Sequence, residues 1–168
     1  LFNCMNTIAS LTRSDAVRAE RAIEDLADLF RASLSDARSL VPLRDEIELV
    51  KRYLAIEGLR LGSRLQVEWA TDALPAETQI PQLTLQPLVE NAIYHGIEPS
   101  PAGGVIRIEG VREGDALRID ISNPVGPGSG REGGNRIAQE NVRQRLAAHF
   151  GPRGRLEVGR DAAVDGLY

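Results

Sequence analysis

Apolar residues recur at helical intervals through residues 1–62, where Ala, Leu, Glu and Arg dominate and Pro42 is the only proline. The spacing predicts two long helices. Ile23, Leu26 and Phe30 form one apolar stripe, preceded by Ser14 as an N-cap and by Asp15 close to the positive helix end. Ile47, Val50, Leu54 and Leu61 form the other. Between them, Pro42 disfavours helix at Val41 and can open a new segment. After Gly62 the period changes to two: Leu65, Val67 and Trp69 alternate with Gln66, Glu68 and Ala70, the pattern of a half-buried strand.

Downstream, Pro81 and Pro87 bracket a turn before a helical run at residues 88–95. Residues 105–111 and 117–122 read as a hairpin about Gly114 and Asp115. Residues 124–134, PVGPGSGREGG, are too rich in Gly and Pro for an element interior; a helix resumes at 135–150, and residues 155–159 suggest a last strand. Leu167 and Tyr168 could begin another. This order suits an α+β sandwich better than a regular parallel β-α array, with a helical region at 1–62 and a mixed α/β domain at 63–168.

With 168 residues, 42% of them hydrophobic and 26% charged, the chain can bury one sizeable core. No apolar run long enough to span a membrane is present, and residues 1–13 lack the basic leader and apolar core of a signal peptide. Cys4 has no partner cysteine, and His95 and His149 are too few for a Cys/His zinc site, so a reducing cytosol is expected. Lys51 is the only lysine and lies outside any Walker-type loop or kinase strand. A net charge of −4 and 4% aromatic residues argue against direct nucleic-acid binding.

The strongest chemical signal is residues 85–96, LQPLVENAIYHG, which place Glu90, Asn91, Tyr94 and His95 on one helix. Asn91 offers a neutral oxygen that can coordinate Mg²⁺ without overcharging a phosphate site, and Glu90 could hold a metal-bound water or assist proton transfer. The same pattern also suits an amphipathic helix with a solvated Glu and a capping Asn. The second signal is the glycine-rich stretch Gly126, Gly128, Gly130, Gly133 and Gly134, with Arg131 and Arg136 nearby. Its backbone amides could approach phosphates ahead of a helix N-terminus, although Gly-Pro stretches are also simply flexible surface loops. Residues 128–133 satisfy the dinucleotide pattern G-x-G-x-x-G, but residues 123–127 separate them from the preceding strand, and that strand belongs to an antiparallel hairpin, so a Rossmann unit is rejected.

The order LQPLVENAIYHGI, ISNP, glycine-rich loop, AQENVRQRLAAHFG resembles the ATP-binding domain of LytS-family sensor histidine kinases, particularly their AlgZ/FimS-like branch. LFN at residues 1–3 is similar to the end of that family's phosphoacceptor motif, His-Phe-Leu-Phe-Asn, and ELVKRYLAIEGLRLGSRL resembles its second dimerisation helix. The resemblance implies a Bergerat (GHKL) ATP fold, a two-layer α/β sandwich with a mixed sheet, preceded by a helical hairpin. It implies that Glu90 and Asn91 form the N box, with Asn91 on Mg²⁺ and phosphate. Asn123 falls where relatives carry an aspartate that accepts from the adenine amine, residues 126–134 form a lid, and Asn141 and Arg145 follow on the next helix.

Three departures bear on affinity. An Asn at 123 lacks the charge-assisted bond of an aspartate; Tyr94 replaces a phosphate-pairing Lys, leaving His95 or Arg136 to compensate; and Asn135 to Ala138 replace the usual Gly-x-Gly-Leu. The family implies ATP and Mg²⁺ as cofactors, γ-phosphoryl transfer to a histidine upstream of Leu1, and then transfer to an aspartate of a response regulator, commonly of LytTR type. It also implies a homodimer through the N-terminal helices, with membrane attachment only through segments upstream. The rival readings are a degenerate adaptor that binds a partner without kinase activity and an ATP-driven conformational machine of the same fold.

Overall fold

The computed structural model describes residues 2–34, 39–125 and 135–159. Three helices, not two, precede the sheet: α1 (Phe2–Ser14), α2 (Ala16–Leu34) and α3 (Leu43–Leu61). The division falls at Asp15, whose carboxylate accepts the Arg18 N–H at 3.0 Å. Asp15 is therefore the cap of α2, and Ser14, expected in that role, is the last residue of α1. The buried face of α2 is also displaced from the expected stripe. Ala19, Ala22, Leu26 and Leu29 turn inward, whereas Ile23 and Phe30 are 52% and 44% exposed on the flank of that face, with Leu34 beside them.

A short strand, β1 (Leu40–Pro42), occupies the break at Pro42 and pairs antiparallel with β3 (Gln79–Pro81). Neither strand is legible as a periodic pattern, because three residues show no period. The main sheet contains β2 (Leu65–Ala70), β4 (Gly104–Glu113) and β5 (Ala116–Ser122) in the order β2-β4-β5. β2 runs parallel to β4, and β4 antiparallel to β5, so the sheet is mixed. The alternation expected in β2 is present, with Leu65, Val67 and Trp69 on the more buried side. The hairpin also forms as expected: Glu113 faces Ala116 across Gly114 and Asp115, and Gly114 takes the φ of 62° that a tight two-residue connection favours.

The helical run after Pro87 is α4 (Gln86–Ala92), continued by a π turn at Ile93–Ile97. α5 (Asn135–Phe150) matches the expected final helix. Residues 155–159, expected to form a strand, adopt none. They lie near β5, where Glu157 is close enough to raise the Arg118 pKa, after the larger contributions from Asp120. The glycine-rich residues and Leu167–Tyr168 fall outside the described residues.

One apolar cluster joins these parts. Ile8 of α1, Leu26 and Leu29 of α2, Leu43, Val50 and Ile56 of α3, Val89 of α4 and Ile106 and Ile108 of β4 all belong to it. Polar ties run along the same seams: Arg52 pairs with Asp28 between α3 and α2, and Arg60 pairs with Glu57 and with Glu98 beyond the π turn.

Leu43 has no exposed surface, so Leu43→Ala should cost about 2–5 kcal/mol of unfolding free energy in urea titrations. Glu46, also buried, supplies a pH signature. Burial pushes its carboxyl above the ordinary 4.5, against the opposing pull of the Leu85, Leu83 and Thr84 N–H groups and of Arg145. A raised folded-state value favours the folded protein most below about pH 4.5, and that contribution is lost as pH rises through the raised value. The stability of Glu46→Gln relative to wild type should therefore shift in the variant's favour over that window; a flat difference would contradict the assignment.

Candidate functional site

α4 begins where the chain has just left β3, and its start is fixed from outside the helix. Glu46, 1% exposed on α3, accepts the N–H groups of Leu83 at 2.6 Å, Thr84 at 2.8 Å and Leu85 at 2.9 Å. Leu83 adopts φ 57°, and among the described residues no other non-glycine residue has positive φ. That conformation costs about 1–2 kcal/mol for an L-residue with a Cβ, and the three bonds to one carboxylate offset it. The Thr84 hydroxyl closes the turn by donating to the Pro81 carbonyl at 2.5 Å.

From this start, α4 presents Leu88 and Asn91 to a cavity of about 550 Å³, within the usual range for small-molecule sites. Leu85 lines it as well, Ile119, Ile121 and Asn123 come from β5 and the residue after it, Gln139 comes from α5, and Glu109 and residues 156–159 complete the lining. Apolar and amide-bearing side chains thus share one wall, with the Arg118–Asp120 pair, 2.9 Å apart, at the strand's polar side.

The Asn91 side-chain oxygen Oδ1 is buried and has no hydrogen-bond partner. An orphaned amide oxygen is costly to bury, and it is a suitable donor atom for a hard cation. Asn123 is 4% exposed; its Nδ2 donates to the Pro124 carbonyl at 2.9 Å, which leaves Oδ1 as the acceptor side of the amide. Gly96 makes room for this residue, because a Cβ there would overlap the Asn123 side chain. The π turn supplies that placement: Glu98 N–H donates to the Ile93 carbonyl, five residues back, at 2.9 Å.

Of the expected site residues, the structure therefore brings Asn91 and Asn123 to one cavity. Glu90 lies beside it on α4, half-buried, with Oε1 accepting from Gln86 Nε2 at 2.9 Å. His95 stacks edge-on against Tyr94, ring centroids 4.8 Å apart, and is not on the cavity wall. Asn141 is exposed, and Arg145 donates through Nη1 to the Gln82 carbonyl at 2.7 Å. Gly126, Gly128, Gly130, Arg131, Gly133 and Gly134 lie outside the described residues, as does the side chain of Arg136. Sequence reasoning missed Gln139, Leu88 and Glu46. Gln139 and Leu88 each carry an ordinary residue type on a predicted helix, and only the fold shows which face meets the cavity. A signal for Glu46 did exist: an acidic residue one turn ahead of Val50, on the face that α3 buries.

Among the described residues, no three His, Cys, Asp or Glu side chains converge as a metal cage. A Mg²⁺ ion at Asn91 would take most of its ligands from water and phosphate oxygens, the usual arrangement for that ion. The unpartnered Asn91 amide oxygen in the cavity wall fits such a group.

Comparison with known proteins agrees with the motif order. A family model described as histidine kinase matches residues 1–65. The sensor histidine kinase BtsS of Escherichia coli (strain K12) is 37% identical over 155 residues, covering 90% of this chain and 28% of that protein. The sensor protein LytS of Oceanobacillus iheyensis is 34% identical over 173 residues, covering 94% of this chain and 30% of its own length. The sensor histidine kinase YesM of Bacillus subtilis is 31% identical over 157 residues, covering 90% of this chain and 27% of its own. The chain thus spans less than a third of the curated relatives it matches. Along nine-tenths or more of its length, the chain is homologous to sensor histidine kinases of the LytS type.

Proposed function

We propose that this chain is the ATP-binding part of a sensor histidine kinase of a two-component system, together with adjoining dimerisation helices. The reading places residues 1–62 as the dimerisation and phosphoacceptor region and 63–168 as the catalytic domain of Bergerat type. The observation that carries it is the orphaned Asn91 oxygen in the wall of a nucleotide-sized cavity that Asn123 also lines.

In this reading the adenine lies against Leu88, Ile119 and Ile121, and its amino group donates to Asn123 Oδ1. Gly96 keeps Asn123 in position by leaving space for it. Asn91 Oδ1 orients the phosphate end, and bound Mg²⁺ supplies charge neutralisation for the transferring phosphoryl group. Gln86 holds Glu90 in one rotamer beside the site, where its carboxylate can accept a proton or order a water. The γ-phosphoryl group passes to the histidine of the family's His-Phe-Leu-Phe-Asn motif, whose last residues match Leu1 to Asn3, and then to an aspartate of a response regulator, of LytTR type.

The exposed apolar residues Ile23, Phe30 and Leu34 on one side of α2 support a homodimer through the N-terminal helices, since such a stripe gains most by meeting a second copy. Among the described residues, no helix is long and apolar enough to cross a membrane. Membrane attachment is assigned to other segments of the longer protein, with this region on the cytoplasmic side.

Isothermal titration of the chain with Mg-ATP tests the reading. Binding should require Mg²⁺, and Asn91→Ala should weaken it at least tenfold, about 1.4 kcal/mol or more. An absence of heat in the wild-type chain would sink the kinase reading in favour of the adaptor. Gly96→Ala should also weaken binding severalfold while far-ultraviolet dichroism is retained, because it displaces Asn123 and not the helix. In the longer protein, γ-labelled ATP should label the wild type and not the His→Gln variant of the acceptor; labelling that persists would refute the assigned acceptor.

A further inference from the structure

The peptide from Gln82 to Leu85 is gripped by three helices. From α3, Glu46 accepts the amides of Leu83, Thr84 and Leu85. From α5, Arg145 Nη1 donates to the Gln82 carbonyl at 2.7 Å. From α2, the Ala32 carbonyl accepts Gln82 Nε2 at 3.4 Å. Glu46 holds the N–H groups of this peptide and Arg145 its Gln82 carbonyl, and the two opposite charges feel each other's field.

Two features make the peptide more than a static joint. Leu83 is held at φ 57°, so releasing its partners would let it return to negative φ and re-aim the chain that enters α4. α4 is one short rigid helix: Asn91 lies six residues beyond Leu85, roughly 9 Å along the axis, and a shift at the start is carried to Asn91. Leu85 itself lines the cavity, and Gln139 puts α5 on the same wall that Arg145 helps to position.

We propose that Glu46 and Arg145 are positioning residues for the nucleotide site, acting through the Gln82–Leu85 peptide, so that the dimerisation helices and the Asn91 helix move as a coupled unit. The proposal rests on the nucleotide-binding reading above. It makes the peptide the element that both regions bias: displacement of α2 and α3 changes where Asn91 stands, and occupancy of the cavity changes how firmly Glu46 is held. The binding coupling is reciprocal by thermodynamic necessity.

The test compares Glu46→Gln, Arg145→Met, the double variant and a control, Arg60→Met. The control breaks a different tie of α3, to Glu57 and Glu98, away from the cavity. Two quantities are read on each chain: Mg-ADP affinity by calorimetry, and the Asn91 side-chain amide resonances in the nucleotide-free protein. Glu46→Gln puts an amide N–H₂ where a carboxylate oxygen accepted backbone N–H groups. It should move the Asn91 resonances and weaken Mg-ADP about tenfold, within the usual range of coupling between sites.

Arg145→Met should act in the same direction, and the double variant should lose no more than the worse single one, because both work through one peptide. Arg60→Met should lower thermal stability and leave both readouts in place. If Glu46→Gln and Arg145→Met lower stability as the control does, with Asn91 resonances and affinity unchanged, the residues are merely structural and the proposal is wrong. Additive losses would equally overturn the shared peptide. Should Glu46→Gln fail to fold, Arg145→Met decides the positioning claim alone. Should the wild-type chain bind no Mg-ADP, the nucleotide reading fails by itself, and the Asn91 resonances still decide whether Glu46 places that helix.

Discussion

A single buried carboxylate decides where α4 starts. Glu46 is desolvated on α3, yet it accepts three consecutive backbone N–H groups at 2.6–2.9 Å, which is close to the most a carboxylate can recover after leaving water. Ionising it there works against stability, and burial raises its pKa accordingly. What the arrangement gains is position. It holds Leu83 in a conformation that residue would not adopt alone, and it delivers Leu85, Leu88 and Asn91 to one cavity. Buried ionic groups are often better explained by such specificity than by net stabilisation.

The helical region and the sheet are consequently not held together by greasy contact alone. Ile8, Leu29, Val50, Val89 and Ile108 belong to one apolar cluster, which is non-directional and would tolerate some sliding. Glu46, Arg60 and the β1–β3 pairing remove that freedom, because each demands a particular register between segments far apart in the chain. Hydrophobic burial brings the parts together, and a few polar bonds choose among the arrangements burial would permit.

Much of this was legible along the chain. The alternation of Leu65, Val67 and Trp69, the Gly114–Asp115 turn and the apolar spacing of α3 are local patterns, and each produced the element it announced. Local reasoning failed where the deciding partner is remote. Ser14 and Asp15 are both good caps, and only the backbone path selects Asp15. Residues 155–159 alternate like a strand, yet pairing needs a neighbouring edge in register, and they adopt none. In the cavity wall, Asn91 was legible from its helix and its neutral oxygen, and Asn123 only through the family resemblance. Arg145, which the resemblance places with the nucleotide site, bonds the Gln82 carbonyl, a partner that charge and spacing cannot announce.

The π turn at Ile93–Ile97 carries a further consequence. A five-residue hydrogen-bonded step is, in effect, one residue inserted into an α-helix, and removing it would restore the regular ladder while rotating everything beyond by about 100°. Gly96 would then face away from Asn123. The count of residues in this stretch is therefore constrained more tightly than their identities: evolution can exchange side chains such as the exposed Tyr94 far more readily than it can shorten the segment by one.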